Sequence, residues 1–311
     1  MMKKIFSMVL LAGLAFLGLQ AQPSGFAPDA TIKFADRDTC SLYFDYYAPS
    51  DRQAGKPTVI YIFGGGFKNG HRSQLSRLDW FKDLTDSGYG VISMDYRLGL
   101  KGKKFKKNLK FLAIMDDTLN AAVEDLFSLT TYLLAEGREI GVDPQNLVVA
   151  GSSAGAITAL TAEWMICNGR PLASVLPEGF NYKGIMSFSG AIFATSGKLS
   201  YSTPPCPQLL FHGMSDKMVP YGRMPVPGTI FAGSNSIAKA LSREDRNYRI
   251  YRIRDHYHEI ASCEGRFINI EKDFLEENVS GGKAVVVDAT VSDPSIPIPE
   301  WASGDTASLY E

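Results

Sequence analysis

The sequence predicts an α/β protein with a mostly parallel central sheet, helices on both faces and an antiparallel hairpin at its N-terminal end. Three observations carry that expectation. Apolar runs without polar alternation, at 58–63, 90–94 and 147–150, read as strands covered on both faces. These runs alternate with helical patterns, and that alternation requires crossover connections between parallel strands. Two of the strands end in glycine-rich turns, Gly64-Gly65-Gly66 and Gly151-Ser152-Ser153-Ala154-Gly155, so both turns belong at the carboxyl end of the sheet, where ligands bind in such folds.

The chain opens with Met1-Met2-Lys3-Lys4, an apolar stretch from Ile5 to Leu19, and Gln20-Ala21-Gln22. A basic start, an apolar middle and a small residue at the cut describe a signal peptide, residues 1–21, removed after Ala21. Leu19 departs from the small-residue rule, so a neighbouring cut stays open. The apolar stretch falls short of the roughly 20 residues a membrane span needs. Export to the periplasm or the exterior is expected, with no stable span after cleavage and one domain over 22–311. Loss of Lys3 and Lys4 takes the formal net charge from −1 to −3, a balance that argues against nucleic acid or an anionic membrane as partner. Oligomeric state is not readable. Cys40, Cys167, Cys206 and Cys263 allow disulfides in any of three pairings, or buried thiols, and none has the spacing of a structural zinc site.

The elements follow in order. IKFA and SLYFDYYA, within Thr31–Tyr47 and separated by Asp36-Arg37-Asp38-Thr39, read as an antiparallel hairpin at a sheet edge. A loop over 48–57 leads to the strand at 58–63. Leu75–Ser87 has amphipathic helical spacing, and 90–94 is the next strand. Six lysines lie between Lys101 and Lys110; a solvated loop is the plain reading, and a flap that attracts acidic polysaccharide is the other. Asp116–Gly137 reads as a long helix through Leu119, Ala122, Val123, Leu126, Leu129 and Leu133. Beyond the second glycine turn come a helix, a loop over 171–180, a strand at 183–189, and a Ser/Gly/Pro-rich loop at 195–207 expected over the site. A strand at 208–211, a final strand at 247–253 and a helical stretch at 260–277 complete the body. A tail from about 281 to 311, with unread packing, follows.

Ser153 is the candidate nucleophile. A serine at a tight strand-to-helix turn has strained backbone angles, and the residues two before and two after it must be small; Gly151 and Gly155 fill those places. The N–H of Ala154 at the helix start can stabilise an oxyanion, and Gly65 and Gly66, whose backbone no side chain obstructs, are its expected companions. A phosphate cradle is disfavoured, because neither G-x-G-x-x-G nor a Gly-Lys-Ser/Thr ending is present. Asp216, just past the strand at 208–211, is placed to orient a histidine. The base then comes from His256 or His258; His258, which directly precedes the helical stretch, is preferred. His256-Tyr257-His258-Glu259 could also suggest a metal pair, but no third ligand has a matching spacing, and no metal or cofactor is expected.

Together, FGGGF at 63–67, DYRL at 95–98, GSSAG at 151–155, HGMSD at 212–216 and His258 make the chain resemble the α/β-hydrolase serine esterases over most of its mature length. The match spans carboxylesterase or hormone-sensitive-lipase-like enzymes and polysaccharide esterases. Phe63, where many bacterial esterases have histidine, is similar to the cholinesterase-type arrangement. The resemblance implies an α/β-hydrolase fold and a serine carboxylesterase with Ser153, Asp216 and His258 as its triad. The substrate would be a small-molecule or polysaccharide-linked ester, for example acetyl or feruloyl groups on plant polysaccharide. A peptidase of the same fold and a non-catalytic binding protein are the competing readings. Such peptidases usually carry a large extra domain for which this length leaves no space, and a binding protein would be expected to lose one of the three residue types.

Overall fold

The computed structural model describes residues 25–103, 109–226 and 228–306, with side chains excepted at 109–111. The expected leader and the middle of the lysine-rich stretch lie outside the described residues.

The first two strands, β1 (Ala30–Arg37) and β2 (Cys40–Tyr47), form the expected hairpin at a sheet edge. β1 alternates between half-buried and exposed residues, as an edge strand does, with a bulge between Lys33 and Ala35. Then come β3 (Thr58–Ile62), β4 (Gly90–Met94), β5 (Leu147–Ser152), β6 (Gly184–Phe188) and β8 (Gln208–Gly213), which follows a short β7 (Ala191–Ala194). Every residue of β3, β4, β5, β6 and β8 is buried, which is why their sequences carry no polar alternation. A short β9 (Ile230–Gly233), β10 (Tyr248–Ile253) and β11 (Val287–Val291) complete the set.

Among the described residues the main sheet has nine strands in the order β1-β2-β4-β3-β5-β6-β8-β10-β11. β1 and β2 run antiparallel to their neighbours, and the rest pair in parallel. β5, which carries the serine turn, is central.

Among the described residues five α-helices flank the sheet: α1 (Leu78–Asp86), α2 (Leu109–Glu136), α3 (Ala154–Cys167), α4 (Ser234–Arg243) and α5 (Ile268–Phe274). α1 and α5 share one face, where the indole N–H of Trp80 donates to Glu271 at 2.6 Å. α2 and α3 pack together on the other, with α4 beside β7, which also lies on α3. α3 is buried almost all round, so its apolar residues show no amphipathic stripe.

Several expectations need correction. The strand at 247–253 is not the last: β11 adds in parallel outside β10, so the start of the tail is a sheet edge, half-exposed in alternation. α2 spans Leu109–Glu136, so the helix reaches seven residues ahead of its expected start. The expected helix over 260–277 is broken into a 3₁₀ turn (His258–Ser262), α5 and a wider π-type turn (Leu275–Ser280); Gly265, at φ +81°, separates the first two. β7 and β9 form a small antiparallel sheet of their own that the sequence reading lacked. The loop at 195–207 does not cover Ser153. It packs at the far end of α3, where the Lys198 carbonyl accepts from Trp164 and the Thr203 N–H and hydroxyl donate to the Cys167 carbonyl. All four cysteines are free thiols, with only Cys40 exposed. No helix among the described residues is long and apolar enough to cross a membrane.

Candidate active site

Ser153 lies between β5 and α3 with φ +49° and ψ −113°, a conformation that costs an L-residue energy and persists only where its surroundings impose it. Its N–H donates to the Phe188 carbonyl at 2.9 Å, and its own carbonyl accepts from Ile157. The flanking glycines are required by close approach. A Cβ on Gly151 would come within 2.4 Å of the Gly155 backbone, and one on Gly155 within 2.0 Å of the Ile62 carbonyl oxygen. The turn thus aims the Ser153 side chain out of the sheet's carboxyl end.

The histidine comes from the loop after β10. Asp255 turns the chain with φ +61°, and the 3₁₀ turn that follows starts at His258, which is 3 % exposed. The Ser153 hydroxyl and His258 Nε2 are 2.7 Å apart, and His258 Nδ1 is 2.7 Å from Asp216 Oδ2. With the carboxylate accepting from Nδ1–H, Nε2 is left as the acceptor for the serine proton. Asp216 Oδ1 is held separately, accepting from the N–H groups of Met218 at 2.9 Å and Val219 at 3.0 Å.

His212, which sequence reasoning left in a motif without a role, completes this arrangement. Its Nε2 faces two acceptors, Asp216 Oδ2 at 3.3 Å and the Val219 carbonyl at 3.2 Å, and so carries a proton. Its Nδ1 lies 2.8 Å from the Ser234 hydroxyl, which donates. Burial alone would raise the Asp216 carboxyl, but the hydrogen bonds from His212 and His258 outweigh it, and its pKa lies well below the usual carboxylate range. Gly213 keeps this loop close to the histidine loop, since a Cβ there would meet the Tyr257 carbonyl oxygen at 2.2 Å.

His256 is occupied elsewhere. Its Nδ1 pairs with Glu259 Oε1 at 2.6 Å and its Nε2 donates to the Asp293 carbonyl at 3.0 Å, so both nitrogens are committed away from Ser153. Of the two histidines, only His258 is brought to the serine. The metal reading of this stretch loses Glu259 to the same contact; among the described residues no cluster of three or more His, Cys, Asp or Glu side chains could hold an ion.

The glycine loop after β3 borders the site, with Gly66 lining the space on both sides of Ser153 and Gly65 one of them. The loop is built by backbone bonds, the N–H groups of Lys68 and Asn69 both donating to the Gly65 carbonyl at 3.0 Å. The DYRL motif explains itself as its support. The Tyr96 hydroxyl donates to the Phe63 carbonyl at 2.9 Å and its ring packs on Phe63 at 4.5 Å. Arg97 meets buried Asp125 on α2, which also takes Arg37 from β1 at 2.9 Å.

Two cavities meet at Ser153. One, of about 350 Å³, is walled by Phe67, Leu112, Met115, Ile157, Phe193 and Phe231. The other, of about 780 Å³, is mixed, with Asn69, Gln74, Arg77, His258 and Glu300 on its walls beside Met218, Ala261 and Trp301. Arg77 is fixed there by Tyr61 at 3.0 Å and Glu264 at 3.2 Å; burial opposes its charge, but Glu264 and Tyr61 outweigh that.

A solved esterase 2 of Thermogutta terrifontis has the same arrangement of elements: 83% of this chain and 96% of that one superpose with a TM-score of 0.59 at 17% identity. The chain has the α/β-hydrolase fold. The family described as BD-FAE matches residues 44–165, from β2 to near the end of α3. The chain is also similar to human Carboxylesterase 5A, 28% identical over 166 residues that cover 51% of this chain. Esterase LipI of Mycobacterium tuberculosis is 31% identical over 117 residues, 37% of this chain. The aligned region spans 25% of the length of the first and 31% of the second. Both of these relatives are named as esterases, and the stretch matched by the family includes the glycine loop and the elbow.

Proposed function

We propose that the protein is an exported serine carboxylesterase in which Ser153, His258 and Asp216 form the catalytic triad. The observation that carries this reading is the unbroken relay of two 2.7 Å hydrogen bonds from the Ser153 hydroxyl through the His258 ring to Asp216. As Ser153 Oγ attacks the ester carbonyl, His258 Nε2 takes its proton, and Asp216 holds the other nitrogen protonated and balances the imidazolium charge. The carbonyl oxygen becomes an oxyanion, stabilised by the N–H groups of Gly65, Gly66 and Ala154. The tetrahedral centre then collapses. The bond to the alcohol oxygen breaks, that oxygen takes the proton from Nε2, and the acyl group stays on Ser153. Water enters on the same path: His258 removes its proton as the water oxygen bonds to the acyl carbon, the ester bond to Ser153 then breaks as Oγ takes that proton back from Nε2, and the carboxylic acid leaves.

The apolar cavity next to Ser153 and Ala154 suits a bulky apolar or aromatic acyl group better than acetyl, since apolar walls reward the area they bury. Feruloyl or similar esters on an extracellular polysaccharide are therefore the favoured natural substrates. Export rests on the leader of residues 1–21. Ser153→Ala is expected to abolish turnover of p-nitrophenyl esters, methyl ferulate and acetylated xylan, and to abolish labelling by a fluorophosphonate probe. Undiminished hydrolysis by this variant would overturn the assignment; a preference for acetylated xylan over methyl ferulate would overturn the acyl preference. An N-terminus beginning near Gln22 in secreted material checks export.

A further inference from the structure

We propose that Trp301 is a stacking platform for a sugar ring, which makes the mixed cavity on the His258 side of Ser153 a glycosyl leaving-group subsite. This rests on Ser153 as nucleophile. Trp301 is 51 % exposed, whereas Trp80 and Trp164 are buried. It stands on a 3₁₀ turn (Glu300–Ser303) that returns from the sheet edge to the site and is pinned by the buried side chain of Ala302. Just beyond it, the Thr306 hydroxyl contacts the carbonyls of Met218 at 2.9 Å and Lys217 at 3.2 Å, on the loop that carries Asp216. The turn is thereby held in register with the relay. The indole and the His258 ring are close to perpendicular, with centroids 6.5 Å apart and an interplanar angle of 81°.

That position decides which part of the ester Trp301 meets. His258 is the group that returns a proton to the departing alcohol oxygen, so the alcohol part must lie along the His258 side of Ser153. On that side an exposed indole faces a cavity with Asn69, Gln74, Arg77 and Glu300. A pyranose has a face of C–H groups and a rim of hydroxyls. The face can lie on the indole while the rim hydrogen-bonds the polar side chains. A simple alkyl alcohol would cover the same polar groups without partners for them. The reverse orientation fails for the matching reason, because it would press sugar hydroxyls against Phe67, Phe193 and Phe231 in the other cavity.

The test compares two esters of one acid, a methyl ester and a xylosyl ester, on the wild type, Trp301→Ala and Trp301→Phe. The ratio of kcat/KM, xylosyl over methyl, is expected to fall about tenfold in Trp301→Ala and to recover in part in Trp301→Phe, which keeps a ring. In the Ser153→Ala background, titration with xylotetraose should change tryptophan fluorescence to saturation, and Trp301→Phe should remove that change, leaving the buried indoles as a constant signal. A fall of threefold or more together with a saturable titration supports the subsite; a smaller fall or a flat titration overturns it. If Ser153→Ala still hydrolyses both esters, it is the nucleophile that has been misassigned, and the fluorescence titration still reads the stacking surface by itself.

Discussion

Replacing Asp216 by asparagine changes one atom and should stop the chemistry, for a reason that can be traced bond by bond. Oδ1 accepts from two backbone N–H groups, Met218 at 2.9 Å and Val219 at 3.0 Å, so the asparagine must keep its carbonyl oxygen there. Its NH₂ then falls on the Oδ2 position, 2.7 Å from His258 Nδ1. A donor in that place forces the His258 proton onto Nε2, where it faces the Ser153 hydroxyl at 2.7 Å as a donor and can no longer accept. The same NH₂ meets the protonated Nε2 of His212 at 3.3 Å, and turning the amide to satisfy both rings would set its NH₂ against the two backbone N–H groups instead. A serine relay locked in the wrong tautomer loses about 10⁴ in kcat, equivalent to about 5 kcal/mol of transition-state stabilisation. The assay is kcat on a p-nitrophenyl ester, with thermal melting as a control that the variant is folded. A folded Asp216→Asn enzyme that keeps more than about 1% of kcat would refute this account of the relay.

Three further outcomes follow from the same structure. His258→Ala should be inactive, whereas His256→Ala should keep its catalytic rate and lose about 1–3 kcal/mol of stability with its contacts to Glu259 and Asp293; denaturant midpoints and kcat separate the two, and the reverse pattern would exchange their roles. Gly155→Ala places a Cβ 2.0 Å from the Ile62 carbonyl and should cost at least about 3 kcal/mol or prevent soluble expression; a melting temperature equal to the wild type's would mean that β3 and α3 are not in close contact. Glu271 is pushed up to about 8 from 4.5 by burial, so the folded chain holds this proton more tightly than the unfolded one; stability should fall as pH rises between those values, and Glu271→Gln should remove a few kcal/mol of that fall, read from urea denaturation at pH 5 and pH 8.

What could be read in the sequence divides along a physical line. Ser153 was legible because its chemistry needs one local backbone geometry, and the glycines that permit that geometry are covalent neighbours. The buried strands were legible for the same kind of reason, since burial on both faces leaves an unbroken apolar run. β7 and β9 were not, because each has four residues whose pairing is set by the other, 36 to 42 positions away in the chain. The break at Gly265 was missed because a single glycine in a helical pattern is compatible with either outcome until Trp80 is known to pack against it.

The site shows the same division more sharply. Asp216 and the pair His256 and His258 could be located by their place after strands, but choosing between the histidines required knowing that Glu259 and the Asp293 carbonyl occupy both nitrogens of one of them. His212 sat in full view within HGMSD, yet its bearing on Asp216 depends on Ser234 at the start of α4. Trp301 is the limiting case. Nothing within ten residues of it marks a site, and its relation to His258 exists only because β11 closes the sheet edge and the following turn comes back over the carboxyl end. Attack on a carbonyl calls for a strained turn that can be spelled in five adjacent residues, whereas the shape that selects the alcohol is assembled from segments far apart in the chain. The reaction was therefore the readable part of this sequence, and the leaving group had to come from the fold.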